Sequence, residues 1–187
     1  MEISTEQLSK WAKQIYDIAT AHGWHEQPNS PEHYMCLIMT EMAEAVEADR
    51  NSRRADLETF DRKMTHLDGS DECFKEMYKR YIKGSIEEEF ADVVIRLLDM
   101  ANDIHGDKMI WVGFYPWGAR FNSRKSFSEN AWYFIKEVLN YGYMNITDSV
   151  FYVYEWAEYL GIDLTWHIET KMKYNSLRTY KHGGKKY

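Results

Sequence analysis

Apolar side chains recur along this chain at the three- and four-residue spacing of helices buried on one face, without the sustained alternation of a strand. Leu8, Trp11, Ala12, Ile15, Ile18 and Ala19 predict a first helix over Thr5–Ala21. Ser4 with Gln7 reads as its capping box and Gly23 as its stop. A second helix is announced by Ser30 as cap, Pro31 in the first turn and Glu32 at the positive dipole end. Its apolar stripe is Tyr34, Leu37, Ile38, Met42 and Ala45. A third begins at Ser85, which forms a capping box with Glu88. It buries Ile86, Phe90, Val93, Val94, Leu97, Met100, Ala101 and Ile104. Further helices are predicted over 129–140, 148–159 (ended by Gly161) and 164–177. Residues 51–84 are polar, with a turn at "LDGSDE" and a helical piece near 73–82, and read as a surface excursion. The Gly- and aromatic-rich stretch 105–126 reads as a loop with a short extended piece. Nothing repeats, and no linker divides the chain. The expectation is one all-α domain spanning 1–187.

Two acidic pairs break this pattern. At about 100° per residue, Glu41 falls in the middle of the second helix's apolar stripe, Glu44 at its edge, and Glu47 on the polar side. On the third helix Glu89 flanks the buried face, Asp92 lies further toward the polar side, and Glu88 already has a capping role. Carboxylates at i and i+3 share a face, with Cβ atoms about 5–6 Å apart. Partly buried, such a pair repels by roughly 3 kcal/mol at an effective dielectric near 20. Folding must then protonate some of them or supply a cation. Mg²⁺, with Mn²⁺ as substitute, is the natural one: hard, oxygen-seeking, and able to keep waters that a phosphate can replace. The bland readings are a solvated face for an isolated ExxE, an i,i+4 ion pair of Asp92 with Arg96, and first-turn acid for Glu89. The combination of two pairs on two helices favours the metal.

Other chemistries fit less well. The chain lacks ExxH, HExxH, GxxxxGK[ST] and GxSxG, and its seven histidines are scattered and read as surface or packing residues. A net charge of −7 argues against a nucleic-acid polymer or an anionic membrane as partner. No apolar run approaches the ~18 residues of a membrane span. The two cysteines, Cys36 and Cys73, have no disulfide or zinc spacing and read as free thiols of a cytoplasmic protein. On the last helix Lys171, Asn175 and Arg178 share a face, suited to phosphate oxygens and a sugar hydroxyl. The alternative is a basic helix end favoured by the dipole. Trp24 is expected to pack in the core, with stacking on a base the less favoured role.

"EMAE" at Glu41–Glu44 followed by "EFAD" at Glu89–Asp92 resembles the signature of the MazG-like all-α nucleoside triphosphate pyrophosphohydrolases, a superfamily that includes dimeric dUTPases. The surrounding "LIMTEMAEAVEADR", "EEFADVVIRLLDMA" and "GIDLTWHIETKMKYNSLRTYKHGGKKY", and Gly23-Trp24, are similar too. The resemblance covers the N-terminal half and the last thirty residues or so; insertions at about 51–84 and 102–160 depart from it. It implies a MazG-like helical bundle completed as a homodimer or homotetramer. It also implies hydrolysis of a (deoxy)nucleoside triphosphate to the monophosphate and pyrophosphate. By position, Glu41, Glu44, Glu89 and Asp92 would hold Mg²⁺, and Lys171 and Asn175 would contact substrate. Arg178 joins them on the same face, and Glu44 is the carboxylate we expect to orient the attacking water. Two alternatives stand beside this: cleavage of another nucleotide-like phosphoanhydride, or a non-catalytic helical module whose aromatic insertions bind a protein. In the second, Glu41→Gln should stabilise the fold by relieving repulsion.

Overall fold

Each serine expected to open a helix does so. The hydroxyls of Ser4, Ser30 and Ser85 accept from the backbone N–H of Gln7 (3.1 Å), His33 (3.3 Å) and Glu88 (3.2 Å). In this computed structural model, which describes residues 3–67, 69–109, 111, 120–141, 146–184 and 186, the helices are α1 (Thr5–Ala21), α2 (Pro31–Arg50), α3 (Leu57–His66), α4 (Asp71–Tyr81), α5 (Ile86–His105), α6 (Phe127–Tyr141), α7 (Ile146–Tyr159) and α8 (Leu164–Ser176). A 3₁₀ turn, Gly106–Lys108, follows α5. The described residues contain no strand, so the class is all-α. The extended piece expected within 105–126 falls largely on 110 and 112–119, outside the described residues. No described helix is long and apolar enough to cross a membrane.

α5 is the hub. It packs against α1, α2, α7 and α8. Nearly every side chain from Ile86 to Ala101 is buried, including Glu87, Glu88, Glu89 and Asp99. The polar side expected for this helix therefore does not face water. Neighbouring helices enclose it, and its acids look into the protein instead. Glu87 is satisfied by Arg54 Nε at 2.5 Å and by the Ala55 N–H at 3.0 Å, a tie that fastens the chain after α2 to the first turn of α5.

The 51–84 insertion is more than a surface excursion. α3 and α4 pack together, and Phe60, Phe74, Met77, Tyr78 and Ile82 form a second apolar cluster with Tyr174 of α8. The Tyr78 and Tyr174 rings stack with centroids 4.2 Å apart. α3 has no counterpart among the sequence-predicted elements because Phe60 is its single buried residue, which leaves almost no stripe to read. The later insertion supplies α6 and α7. Several of its described aromatics fill the core: Phe121 and Phe127 close on Trp156, which also packs on Phe90 of α5. Buried Asn130 holds the preceding loop. Its Nδ2 donates to the carbonyls of Asn122 (3.0 Å), Lys125 (3.2 Å) and Ser126 (3.1 Å), and its Oδ1 accepts from the Tyr152 hydroxyl (3.1 Å).

The C-terminal segment folds back over the end of α1. The His22 ring bridges the carbonyls of Ile18 (2.7 Å) and Arg178 (2.8 Å), and Tyr180 donates to Glu26 at 2.5 Å. Gly23, at φ +82°, ends α1 as expected. A Cβ there would collide with the Tyr180 ring, so the position needs glycine both for its backbone and for the tail that crosses it.

Truncating a fully buried α5 residue, Leu98→Ala, is expected to destabilise the protein by about 2–5 kcal/mol. Gln14→Ala on the exposed face of α1 should stay within about 0.5 kcal/mol. Urea denaturation followed by circular dichroism measures both, and equal midpoints would contradict the placement of α5 at the centre.

Candidate functional site

α2 and α5 lie side by side, and this brings the two acidic pairs to one place. One carboxylate oxygen from each of Glu41, Glu89 and Asp92 falls within 4.8 Å of the others. They line a cavity of about 330 Å³ whose walls come from α1, α2, α5 and α8 and from the turn after α1. Glu44 lines the same cavity one turn along α2. It is exposed, and it stands outside the three-oxygen group.

Lys171 and Asn175 of α8 line the cavity, so their shared face does meet the acids; Arg178 lines it too, but from beyond the end of α8 at Ser176 rather than from the helix face expected. Their roles in this arrangement differ from one another. Lys171 is 5% exposed, and its Nζ lies 2.5 Å from Glu88 Oε1 and 2.6 Å from Asp92 Oδ2. It is clamped by carboxylates rather than held out toward a ligand. Asn175 Oδ1 is buried without a hydrogen-bond partner among the described residues, a cost that a ligand hydroxyl would remove. The Arg178 guanidinium sits 5.7 Å from the Tyr174 ring centroid.

Three participants escape the sequence reading. Glu88, credited with helix capping alone, also accepts the Gly84 N–H and holds Lys171, and it borders the cavity. Arg96 does not pair with Asp92. Its Nε donates to Glu41 at 3.0 Å, across to α2. Replacing Glu41 would therefore strand a guanidinium, so Glu41→Gln no longer isolates relief of repulsion. Asp99 lines the cavity two turns beyond Asp92 and accepts from His25 Nε2 at 3.0 Å. No motif flags these contacts. The one signal available was their spacing: Glu88, Asp92, Arg96 and Asp99 follow each other at four, four and three residues along one face.

The electrostatics show where strain collects. Burial, reinforced by the charges of Asp92, Glu88 and Glu44, pushes the Glu89 carboxyl up to about 9. Burial also pushes Asp92 up, to about 7, against the pull of Lys171. For Lys171 the two carboxylates outweigh desolvation, so its ammonium stays charged. Glu89 is thus the group that holds a proton when no cation is present. A hard divalent ion fits this donor set: three converging oxygens, one of them held neutral only for want of positive charge. In chemical terms the cavity has an acidic end with flanking Lys83, Lys171 and Arg178, and an apolar part built from Ile15, Ile18, Leu37 and Ile95. Trp24 stands at that wall, partly exposed, rather than in the core.

No protein-family model, curated protein or solved structure matches this chain.

In the folded chain Glu89 keeps its proton to about pH 9; unfolded, it loses it near the ordinary 4.5. Between those values the native state binds the extra proton, so stability without metal is expected to fall as pH rises across that window. Mg²⁺ replaces the proton. It should therefore raise the melting temperature more at about pH 8.5 than at about pH 6. Thermal melts with and without Mg²⁺ at both pH values test this, and an equal or absent Mg²⁺ effect at both would refute the site.

Proposed function

We propose that this chain is a Mg²⁺-dependent pyrophosphohydrolase of the MazG-like kind, cutting a (deoxy)nucleoside triphosphate into the monophosphate and pyrophosphate. The observation that carries the reading is the convergence of Glu41, Glu89 and Asp92 within 4.8 Å at one end of a cavity that is otherwise partly apolar. A triphosphate needs positive charge and its base a place to pack; an ion held by these carboxylates would supply the first, and the apolar lining residues support the second.

Glu41, Glu89 and Asp92 would hold the ion, with Glu44 at the same opening. When bound, Mg²⁺ would supply charge neutralisation for the triphosphate and a lowered pKa for water. The chain's own residues do the rest. Lys171 holds Asp92 in place and opposes the upward push of burial on its carboxyl, acting through that carboxylate. Arg178 and Lys83, which line the same cavity, donate to phosphate oxygens. Asn175 Oδ1 accepts from a sugar hydroxyl. Glu44, exposed at the opening, takes the proton of the water that forms a bond to the α-phosphorus. The bond from that phosphorus to its bridging oxygen then breaks, and pyrophosphate leaves. In this reading the chain works in the cytoplasm as a homodimer or homotetramer, and Trp132 on α6, 66% exposed, is a side chain that such an assembly would cover.

Incubation of the purified chain with Mg²⁺ and a panel of NTPs and dNTPs should release pyrophosphate and the matching monophosphate. Glu89→Gln should keep the fold, and even stabilise the metal-free form, while lowering kcat by about a hundredfold or more. A folded sample that releases pyrophosphate from no nucleotide would leave the non-catalytic alternative standing.

A further inference from the structure

The cavity has a third part that hydrolysis does not use. Along α5 its wall runs from Glu89 and Asp92, through Ile95, to Asp99. Asp99 is seven residues beyond Asp92, two turns on and back on the same face, about 10.5 Å along the axis. Between them on α5 lie Ile95 and Arg96, and Ile15, Ile18, Trp24 and Leu37 line the same cavity. Along α5 the lining residues therefore run Asp92, Ile95, Arg96, Asp99. Asp99 also borders a smaller cavity of about 140 Å³, shared with Trp24, Leu37 and Arg96. Its carboxylate is not free to swing. His25 Nε2 holds Oδ1 at 3.0 Å, the Tyr16 ring stacks on His25 at 4.4 Å, and Asp103 lies 3.6 Å from His25 Nδ1. Asp103 is itself anchored by the Tyr34 hydroxyl at 2.9 Å. Four side chains, His25 directly and Tyr16, Asp103 and Tyr34 through it, thus fix one carboxylate on a cavity that is also lined by Ile15, Ile18, Leu37, Ile95 and Trp24.

Resting on the nucleotide reading above, we propose that Asp99, positioned by His25, reads the base of the substrate and selects guanine. An ionised carboxylate only accepts hydrogen bonds. Guanine offers two neighbouring donors on one edge, N1–H and the 2-amino group, which match the two oxygens of Asp99. Adenine and cytosine set a ring-nitrogen lone pair beside their amino group, against the carboxylate. Uracil and thymine flank their single N–H with two carbonyl oxygens. Each of these leaves a buried acceptor facing a buried acceptor, the arrangement that costs most. Burial pushes the Asp99 carboxyl up, and the hydrogen bond and charge of His25, with the charge of Arg96, oppose that and favour the ionised form; burial lowers the imidazole pKa in turn, but the hydrogen bond and charge of Asp99 and the charge of Asp103 raise it.

Calorimetric titration of the whole chain in Mg²⁺ with dGMP, dIMP, dAMP and dUMP tests this apart from catalysis. The wild type should bind dGMP roughly tenfold to a hundredfold more tightly than dIMP, which lacks the 2-amino group alone, and more tightly than dAMP and dUMP. Asp99→Asn and His25→Ala should close the dGMP–dIMP gap; His25→Gln, which keeps an N–H toward Asp99, should retain it. The comparison of dGMP with dIMP on the wild type still tests the base assignment where a variant fails to fold. Nucleotides that bind and are cut without guanine preference, or a gap that survives Asp99→Asn, overturn the base assignment and leave hydrolysis intact. Binding of none of the four, with no cleavage of any triphosphate, overturns both.

Discussion

Acidic side chains withdrawn from water on a helix without a solvent face must be balanced from the helices around it, and the rest of this structure follows from that. α5 carries Glu87, Glu88, Glu89, Asp92 and Asp99 into the interior or onto the cavity. Leaving such charges unpaired would cost several kcal/mol each. Four of the five are met from elsewhere: Arg54 answers Glu87, Lys171 answers Glu88 and Asp92 together, and His25 answers Asp99. Among the described residues Glu89 has no such cation bonded to it, and its carboxyl is pushed up to about 9. A protein gains nothing in stability from that arrangement. It becomes intelligible if a mobile cation completes it.

The same pairing sets the geometry of the cavity. The Lys171 bridge ties α8 to the first turns of α5, and Arg96 to Glu41 ties α2 to its middle. His25, Asp99, Asp103 and Tyr34 close the far end by joining the turn after α1 to α5 and α2. Three charge-bearing contacts, spaced along one helix, hold the walls of a slot whose floor is α5 itself. The Lys171 and His25 contacts are shielded from water, and Arg96–Glu41 is shielded in part, so they resist salt more than a surface pair would.

The insertions support this frame from outside. Tyr78 of α4 stacks on Tyr174, and the Lys171 ammonium lies 5.9 Å and 5.8 Å from those two ring centroids, so α3 and α4 stiffen the helix that delivers the cation. On the other side Phe127 and Trp156 press on Phe90, which sits in α5 between Glu89 and Asp92 in sequence and faces away from the cavity. The additions back the acidic end of α5 with aromatic mass on two sides.

What could be read from residues alone was local. Helical spacing, three serine caps, a proline in a first turn and Gly23 past an end defined α1, α2, α5 and α8, because those signals act within a few residues of one another. The intrusion of Glu41 into an apolar stripe exposed the acidic site for the same reason: periodicity makes a misplaced charge visible. α3 stayed hidden because one buried phenylalanine makes no stripe. The partners of the charges also stayed hidden. That Arg96 reaches Glu41 and not Asp92, that Lys171 serves carboxylates first, that Glu88 does more than cap, and that His25 meets Asp99 across 74 residues of chain are matters of which helix lies against which. Side chains far apart in sequence meet only once the helices have packed. Choosing among ion pairs that are each locally plausible then falls to desolvation, which depends on burial in three dimensions rather than on the order of residues.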